Sequence, residues 1–294
     1  MNLRIETQAN DQKSNKSEAG LKAKSDMKII REPKIYLIAK QQMSHEELQR
    51  FMDDHGVKWE SDSNIAAEVI TESSGRICYM SFAKPRPGGN EAYLEHIKES
   101  GHGSVLEHAV WNFVVTGVSR SLTHELVRHR AGFAYSQLSQ RYVDESVAEY
   151  VEPDIIAEDP ELHDIWLKAI TEMHQAYIQL AEKLTQNLKG QSAAPMPQGN
   201  AVRSNTEIRK MARQSARSIL PNATETKISV TANARALRHF MEQRGSRYAE
   251  PEIRKLANKF LELLQIESPH LFGDYEKEYL PDGTFEIQTK YKKV

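Results

Sequence analysis

The sequence predicts a mixed α+β fold built as a single domain. Segments of strand character alternate with segments of helical periodicity, which favours a mixed fold over an all-helical or all-strand one. Of the 294 residues, 39% are apolar, which is enough for a sizeable core. No internal repeat and no clear linker divide the chain after its first 26 residues. We therefore expect one mixed α/β domain over residues 27–294.

Residues 1–26 are predicted to form a disordered N-terminal extension. They are rich in Lys, Ser, Asn, Gln and Asp, and their scattered apolar residues are too few to offset the entropy lost on ordering. Two interpretations stay open at this point. Either Met27, which stands just before the first apolar run, is an alternative start, or the extension binds a partner.

Short strand and helix patterns alternate in the first third of the chain. Residues 34–39 (KIYLIA) indicate a strand. Ser44 and Glu47 have the spacing of a capping box, which opens a helix to about His55. The elements predicted next are helices over 64–72 and 90–100, a core segment over 77–82, a Pro/Gly loop over 84–89 and a buried strand over 109–116.

The rest of the chain reads mainly as helix. Val118 and Ser119 end the strand, and Ser119 can cap a helix that runs through about His129. Apolar residues at helical spacing from Leu162 to Leu188 predict a long amphipathic core helix. The remaining predictions are a loop over 190–199, a helix ending at Leu220, a strand over 224–231 and helices over 234–243 and 252–265.

Charge and cysteine content exclude several classes of function. The 39 basic and 41 acidic residues leave a net charge of -2, so no global positive field attracts nucleic acid. The single cysteine, Cys78, excludes a disulfide within the chain and a Cys-rich zinc site, which fits a reducing compartment such as the cytoplasm. No stretch reaches the roughly 18 apolar residues of a membrane span, so we expect no membrane partner.

Histidines and arginines concentrate between Gly101 and Tyr142, beside strongly apolar segments. Polar groups next to a core cost free energy unless they are paired or used in function. On a helix, Glu125, Arg128 and His129 would share one face, which suits the wall of a pocket. An ion pair from Glu125 to Arg128 or His129 explains the pattern equally well.

The segment from Phe133 to Tyr142 alternates, and an extended chain there would turn three polar side chains to one side. These side chains are Gln137, Ser139 and Arg141. Together they offer a planar fork of donors, a hydroxyl and an amide, which suit a nucleotide monophosphate. A solvent-facing edge strand is the alternative, but it does not explain why arginines flank the segment on both sides.

Three other patterns are rejected. His124 and His129 almost spell the metalloprotease motif, but they are five residues apart, about 140° around a helix instead of about 40°. We therefore expect no metal site. The stretch 101–106 lacks the third glycine of a dinucleotide loop. A DNA-binding helix around Arg128 conflicts with its apolar neighbours and the near-neutral charge.

The segment RHRAGFAYSQLSQRY, from Arg128 to Tyr142, resembles the signature of the flavin-dependent thymidylate synthases, the ThyX family. Supporting matches occur in GHGSVLEH at 101–108, in ANAR at 232–235 and in AEPEIR at 249–254. The resemblance covers roughly residues 33–270. This chain has eight residues between the arginine triplet and the serine, whereas many members have seven. It also has Glu125 where some relatives have Gln, and His239 where some have Asn.

The resemblance implies an FAD-dependent methyltransferase. Such an enzyme converts dUMP to dTMP, with 5,10-methylenetetrahydrofolate as carbon donor and NADPH-reduced FAD as hydride source, and it uses no cysteine nucleophile. It also implies the α/β fold of this family and a homotetramer whose active sites are shared between subunits. The alternative from another class is a non-catalytic nucleotide- or RNA-binding module.

The family resemblance also assigns site residues. Arg244 matches the arginine near N3 of the pyrimidine, where it would stabilise negative charge during catalysis. The residues implied for dUMP are Arg120, Glu125, Arg128, Gln137, Leu138, Ser139, Gln140, Arg141, Arg217 and Arg244. Those implied for FAD are Ser104, Arg128, His129, Arg130, Gln137, Asn233, Arg235 and His239, with Ser81 and Glu107 as further candidates.

Overall fold

The structure is a computed structural model that describes residues 27–83, 87–193 and 203–294. The predicted disordered extension over 1–26 lies outside the described residues. So do residues 84–86 of the predicted Pro/Gly loop and residues 194–202, which include residues 194–199 of the loop predicted over 190–199.

Helices and strands are mixed along the chain, which confirms the predicted α+β class. The chain forms two compact units. Among the described residues, the first unit comprises the chain up to Arg31, Ser119–Ser121 and Leu138–Thr226, and the second comprises Glu32–Val118, Leu122–Gln137 and Lys227–Val294. A single domain that begins at residue 27 stays a prediction.

The helices are labelled in chain order. They are α1 (His45–Asp54), α2 (Ala66–Ile77), α3 (Gly89–Glu99), α4 (Arg120–Leu126), α5 (Asp154–Ala157), α6 (Pro160–Ala193), α7 (Asn205–Ala216), α8 (Ala234–Arg244), α9 (Pro251–Glu267) and α10 (Pro269–Phe272). Short 3₁₀ turns occur at Ser81–Ala83, Gly103–His108, Glu145–Val147 and Arg217–Ile219.

Within residues 27–83, 87–193 and 203–294, the strands form three small sheets. They are β1 (Ile29–Ile30), β2 (Lys34–Lys40), β3 (Val110–Ser119), β4 (Phe133–Gln137), β5 (Tyr150–Val151), β6 (Glu225–Asn233), β7 (Tyr275–Tyr279) and β8 (Phe285–Thr289). The largest sheet has the order β2-β3-β6-β4. Its β2 and β3 are antiparallel, and so are β4 and β6, where Phe133 lies opposite Ala232. The sequence did not predict the β7–β8 hairpin or the short pair of β1 and β5.

The core of the second unit forms between this sheet and helices α8 and α9. Alternate residues of β3 are buried, so Trp111, Phe113 and Val115 enter the core. The ring of Phe113 meets that of Phe260 on α9 edge to face, with centroids 5.1 Å apart. Helix α8 buries Phe240 on its core side. Its opposite side is therefore left to line clefts.

In the first unit, the long helix α6 packs against α7. Ile170 and Tyr177 of α6 are buried, as are Ile208 and Ala212 of α7. The predicted core helix is therefore confirmed for part of its length. Ile165 is 61% exposed, so part of its apolar face is not buried within the chain.

Three boundaries around the predicted site differ from the prediction. Strand β3 continues through Ser119, where burial in the fold outweighs the local tendency to break. Helix α4 ends at Leu126, after which the N–H groups of Arg128 and His129 donate three residues back, to the carbonyls of Glu125 and Leu126, in a tighter final turn. Strand β4 ends at Gln137, and the N–H of Tyr142 closes a turn on the Ser139 carbonyl. The predicted one-sided row of Gln137, Ser139 and Arg141 is therefore wrong.

Two smaller predictions also fail. Ser44 is the N-cap of α1, but its side chain makes no capping hydrogen bond, so the predicted capping box does not form. The segment 77–82 is not a core segment, because Tyr79 is 77% exposed and Cys78 is exposed as well. Only Phe82 of that segment is buried. A short apolar run does not reveal which side of it meets the fold.

Candidate active site

A cleft of about 400 Å³ lies in the second unit, where the turn after α4 meets one side of α8. We call it the first cleft. Five residues implied by the family resemblance line it, namely Arg128, His129, Arg130, His239 and Arg244. The other lining residues are Ala131, Phe133, Ala236 and Gln243. The folded chain thus brings together residues more than a hundred positions apart.

The guanidinium of Arg244 is fixed by two partners. Its Nε donates to Nε2 of His129 over 3.0 Å, and its Nη1 donates to Oε2 of Glu125 over 2.5 Å. Both side chains of the Arg244–Glu125 pair are about three-quarters buried. Glu125 is therefore paired across two helices, and the pair with Arg128 or His129 that the sequence left open is not formed.

His129 is held in its neutral form. Burial is the largest cause that lowers its pKa, and the charges of Arg244 and His239 lower it further, to about 4. An arginine can only donate, so Nε2 of His129 accepts and its proton is on Nδ1. At neutral pH, His129 is an uncharged acceptor that orients Arg244.

The turn that carries the arginine triplet is held in place by several close contacts. The Tyr135 hydroxyl lies 2.9 Å from the His129 carbonyl as well as from that of Leu126. Gly132 has φ 74°, and a Cβ there would lie 2.7 Å from the Ala236 side chain, so only glycine fits. The Asn233 side chain accepts from the Ala236 N–H as the N-cap of α8. Asn233 thereby links the turn to the helix that carries His239 and Arg244.

Other residues implied for FAD do not line the first cleft. Arg235 is exposed and donates to Glu107 over 2.6 Å. Ser104 is exposed on the 3₁₀ turn Gly103–His108. Gln137 donates to the Thr123 hydroxyl over 3.0 Å. Their roles toward FAD stay predictions.

The remaining residues implied for dUMP belong to the first unit. They are Arg120, Leu138, Ser139, Gln140, Arg141 and Arg217. Burial is the largest cause that lowers the pKa of Arg120; Glu145 opposes the change, and the nearby charge of Arg217 adds to it. In the described residues, Nε of Arg141 and Nε2 of Gln140 are buried without a hydrogen-bond partner. Neighbouring positive charges repel each other, and buried N–H donors without a partner cost free energy. An anion bound at these residues would relieve both effects.

Comparison with known proteins decides the family. The profile of the family described as Thymidylate synthase complementing protein matches residues 62–270. The chain belongs to this family. A Flavin-dependent thymidylate synthase from Mycobacteroides abscessus is 47% identical over 236 residues, covering 80% of this chain and 89% of that protein. A second, from Corynebacterium efficiens, is 44% identical over 236 residues with the same coverage.

A solved structure agrees at the level of the fold. The crystal structure of the UMP/dUMP methylase PolB from Streptomyces cacaoi, bound with 5-Br UMP, aligns with a TM-score of 0.56. The alignment covers 84% of this chain and 95% of that one, at 17% sequence identity.

The predicted function is confirmed: the chain is a flavin-dependent thymidylate synthase, with FAD as cofactor and NADPH and methylenetetrahydrofolate as co-substrates.

The side chains of the first cleft offer two kinds of contact to a ligand. The basic residues match phosphate groups, and Phe133 and His129 add flat ring surfaces. Phe133 belongs to the range 131–135 in which the sequence left the residue nearest the flavin open, whereas sequence reasoning missed Gln243. Gln243 lies four positions after His239 on α8, so helical spacing alone places both on one face.

In the described parts of the chain, no group of three or more His, Cys, Asp or Glu side chains is placed to hold a metal ion. Among the same residues, no helix has the length and apolar character needed to cross a membrane.

Proposed function

We propose that the first cleft is where this flavin-dependent thymidylate synthase brings the flavin and the pyrimidine of dUMP together. The observation that carries the proposal is the fixed guanidinium of Arg244 at the wall of a basic cleft. Arg128, His129, Arg130 and His239 would hold FAD, and Arg244 would contact the pyrimidine. When bound, FAD supplies the reducing equivalents that the methylation needs.

Arg244 would act with part of its guanidinium. Its Nε and one N–H of Nη1 donate to His129 and Glu125, so with respect to the described residues Nη2 and the second N–H of Nη1 stay available. A cation fixed in this way needs no rearrangement as negative charge develops on the pyrimidine ring. Glu125 and His129 are positioning residues for Arg244 in this proposal.

The phosphate of dUMP would be bound by residues of the first unit. Arg120, Arg141 and Arg217 supply positive charge, and Ser139 supplies a hydroxyl. Leu138 and Gln140 flank that serine in the turn. A charge-assisted hydrogen bond contributes about 1.5–3 kcal/mol, so a few of them account for firm substrate binding.

Chemistry without a cysteine nucleophile is supported by the position of Cys78. It is exposed at the end of α2 and does not line the first cleft. A nucleophile for the pyrimidine would have to line the site.

The assembly and the outer FAD contacts are further parts of the proposal. Ser104, Gln137, Asn233 and Arg235 would contact FAD, and four copies of the chain would share their active sites. The exposed apolar residues of α6, such as Ile165, are available to an interface between copies. A cytoplasmic location fits the single unpaired cysteine.

Purified protein tests the function directly. We expect flavin absorbance that NADPH bleaches and air restores, together with dTMP formed from dUMP and methylenetetrahydrofolate. Sedimentation should give a tetramer that retains FAD. A colourless protein that binds dUMP or RNA without forming dTMP would instead support the non-catalytic nucleotide- or RNA-binding module.

A further inference from the structure

A second cleft, of about 640 Å³, lies in the same unit on the other side of His239. His239 and Gln243 line both this cleft and the first one, so the two share a wall. The remaining walls come from α8, from strand β8 and from the segment Lys292–Val294. This volume falls in the range of small-molecule sites, about 300–1,000 Å³.

The segment that carries the two lysines is anchored on both sides. The Tyr291 hydroxyl donates to Glu95 over 2.7 Å. Val294 is 4% exposed and lies against Gly103. The backbone of Lys293 has φ 62°, an uncommon value outside glycine, and its N–H donates to both carboxylate oxygens of Glu242 at 3.2 and 3.1 Å. Lys292 and Lys293 therefore line the cleft from a backbone that is held in place.

The charges at this cleft favour an anion. Arg235 is neutralised by Glu107, and Glu286 is paired with Arg247. In the described part of the chain, the ammonium groups of Lys292 and Lys293 have no carboxylate partner. Glu242, the remaining carboxylate of the lining, already accepts from the Lys293 backbone. Among the described side chains of this cleft, two ammonium groups outside any ion pair therefore stand against one such carboxylate, Glu242, which leaves an excess of positive charge.

We propose that the second cleft binds the anionic tail of a co-substrate whose reacting end lies in the first cleft, with Lys292 and Lys293 as the tail contacts. Both co-substrates carry an anionic group, a phosphate or a carboxylate, at some distance from the reacting ring. NADPH carries such a group as its 2′-phosphate, and the folate carries it as glutamate carboxylates. The two lysines lie beyond residues 62–270, the part that matches the family profile. The inference rests on the proposed use of the first cleft.

The test compares ligands that differ only in the tail. Binding to the FAD-loaded enzyme is measured for NADPH against NADH, and for tetrahydrofolate with one against three glutamates. The variants are wild type, the double variant Lys292→Ala/Lys293→Ala and the control Lys277→Ala. Lys277 lies on β7, the strand that pairs with β8, but it forms an ion pair with Glu262 and does not line the cleft.

We expect the double variant to bind one tailed ligand roughly fivefold to thirtyfold more weakly than wild type, since each exposed ion pair contributes modestly. The ligand with the smaller tail should bind as before, and the difference should shrink at high salt. A loss confined to NADPH identifies the phosphate, and a loss confined to the triglutamate identifies the folate.

Equal affinity of the double variant and wild type for all four ligands would overturn the proposal, as would weaker binding of FAD alone. Neither result would affect the proposed function, which depends on dTMP formation by the wild-type enzyme. The absence of dTMP formation in wild type would instead remove the basis for both.

Discussion

Arg244 donates from Nε to Nε2 of His129 over 3.0 Å, so the arginine is held by a neutral histidine. His129 follows α4, and Arg244 is the last residue of α8. Because the histidine must stay unprotonated to accept, its low pKa and the position of the arginine depend on each other. The turnover of Arg244 variants and the pH dependence of the protein's stability should both reflect this relationship.

Replacing Arg244 by Ala should leave a yellow, folded protein that binds dUMP weakly and forms dTMP about a hundredfold to a thousandfold more slowly. The reason is the loss of a fixed cation at the pyrimidine, comparable to the loss of an oxyanion donor of about 2.7–4 kcal/mol. Lys should restore part of the loss, because its point charge lacks the planar geometry. Steady-state assays at saturating dUMP, with flavin absorbance to verify loading, measure the effect.

The control for that variant is Arg247→Ala. Arg247 is a neighbouring arginine that pairs with Glu278 and Glu286 and does not line the first cleft. If Arg244 only completed a helix, its loss would cost about 0.3–1 kcal/mol of stability and leave turnover intact. Turnover of the Arg244 variant within threefold of wild type would therefore reject its assignment.

The imidazole of His129 should titrate with a midpoint near pH 4 in the folded protein. Its folded pKa is below the usual 6.5, so between these values the unfolded chain binds a proton that the folded chain does not. Stability is therefore fully present above about pH 6.5 and declines as the pH falls toward 4, by on the order of 1–3 kcal/mol. NMR titration of the ring resonances measures the midpoint.

The matched variant His129→Asn keeps an acceptor for Arg244 but does not titrate. Between pH 7 and pH 4.5, the free energy of unfolding should fall by less in this variant than in wild type. A midpoint near 6.5 in the folded wild-type protein would show that burial and Arg244 do not act on this ring as described.

Changing Asp274 to Ala should destabilise the protein by about 3–5 kcal/mol. Asp274 accepts from Arg238 at 2.8 and 2.9 Å and from Lys98 at 2.8 Å, and all three side chains are buried. Burial opposes the charge of Asp274, but donation from Arg238 and Lys98 outweighs it and holds the carboxyl pKa well below its usual range. Chemical denaturation measures the loss.

The comparison for Asp274 is Glu278→Ala, which removes an exposed partner of Arg247 and should cost under about 1 kcal/mol. Similar losses for the two variants would mean that the buried pair contributes no more than a surface pair.

Cys78→Ala should preserve dTMP formation and change stability by less than about 0.5 kcal/mol. The thiol is exposed at the C-terminal end of α2, so its removal leaves no cavity. Loss of turnover in a folded, flavin-loaded variant would place a nucleophile where none is expected.

Deleting residues 1–26 should leave flavin content and dTMP formation near wild type. These residues contain neither a core pattern nor a site motif. A large loss of either property in the truncated protein would show that the extension has a role.

The sequence by itself determined the family and five of the nine residues that line the first cleft. The spacing from Arg128 to Tyr142 carried the family resemblance. That resemblance implied roles for His129 and Arg130 within this stretch, and for His239 and Arg244 downstream of it. Long helices were also readable, because helical periodicity in segments such as 162–188 depends on local pattern.

Only the tertiary structure decided how these residues are paired and where the elements end. Helical spacing placed Glu125 near Arg128, yet its partner is Arg244, which is 119 positions away. Local alternation extended the strand past Gln137, and local hydropathy assigned Cys78 to the core, and both were wrong. The physical reason is that pairing, burial and chain reversal are set by contacts between distant segments, whose free energy outweighs local preference.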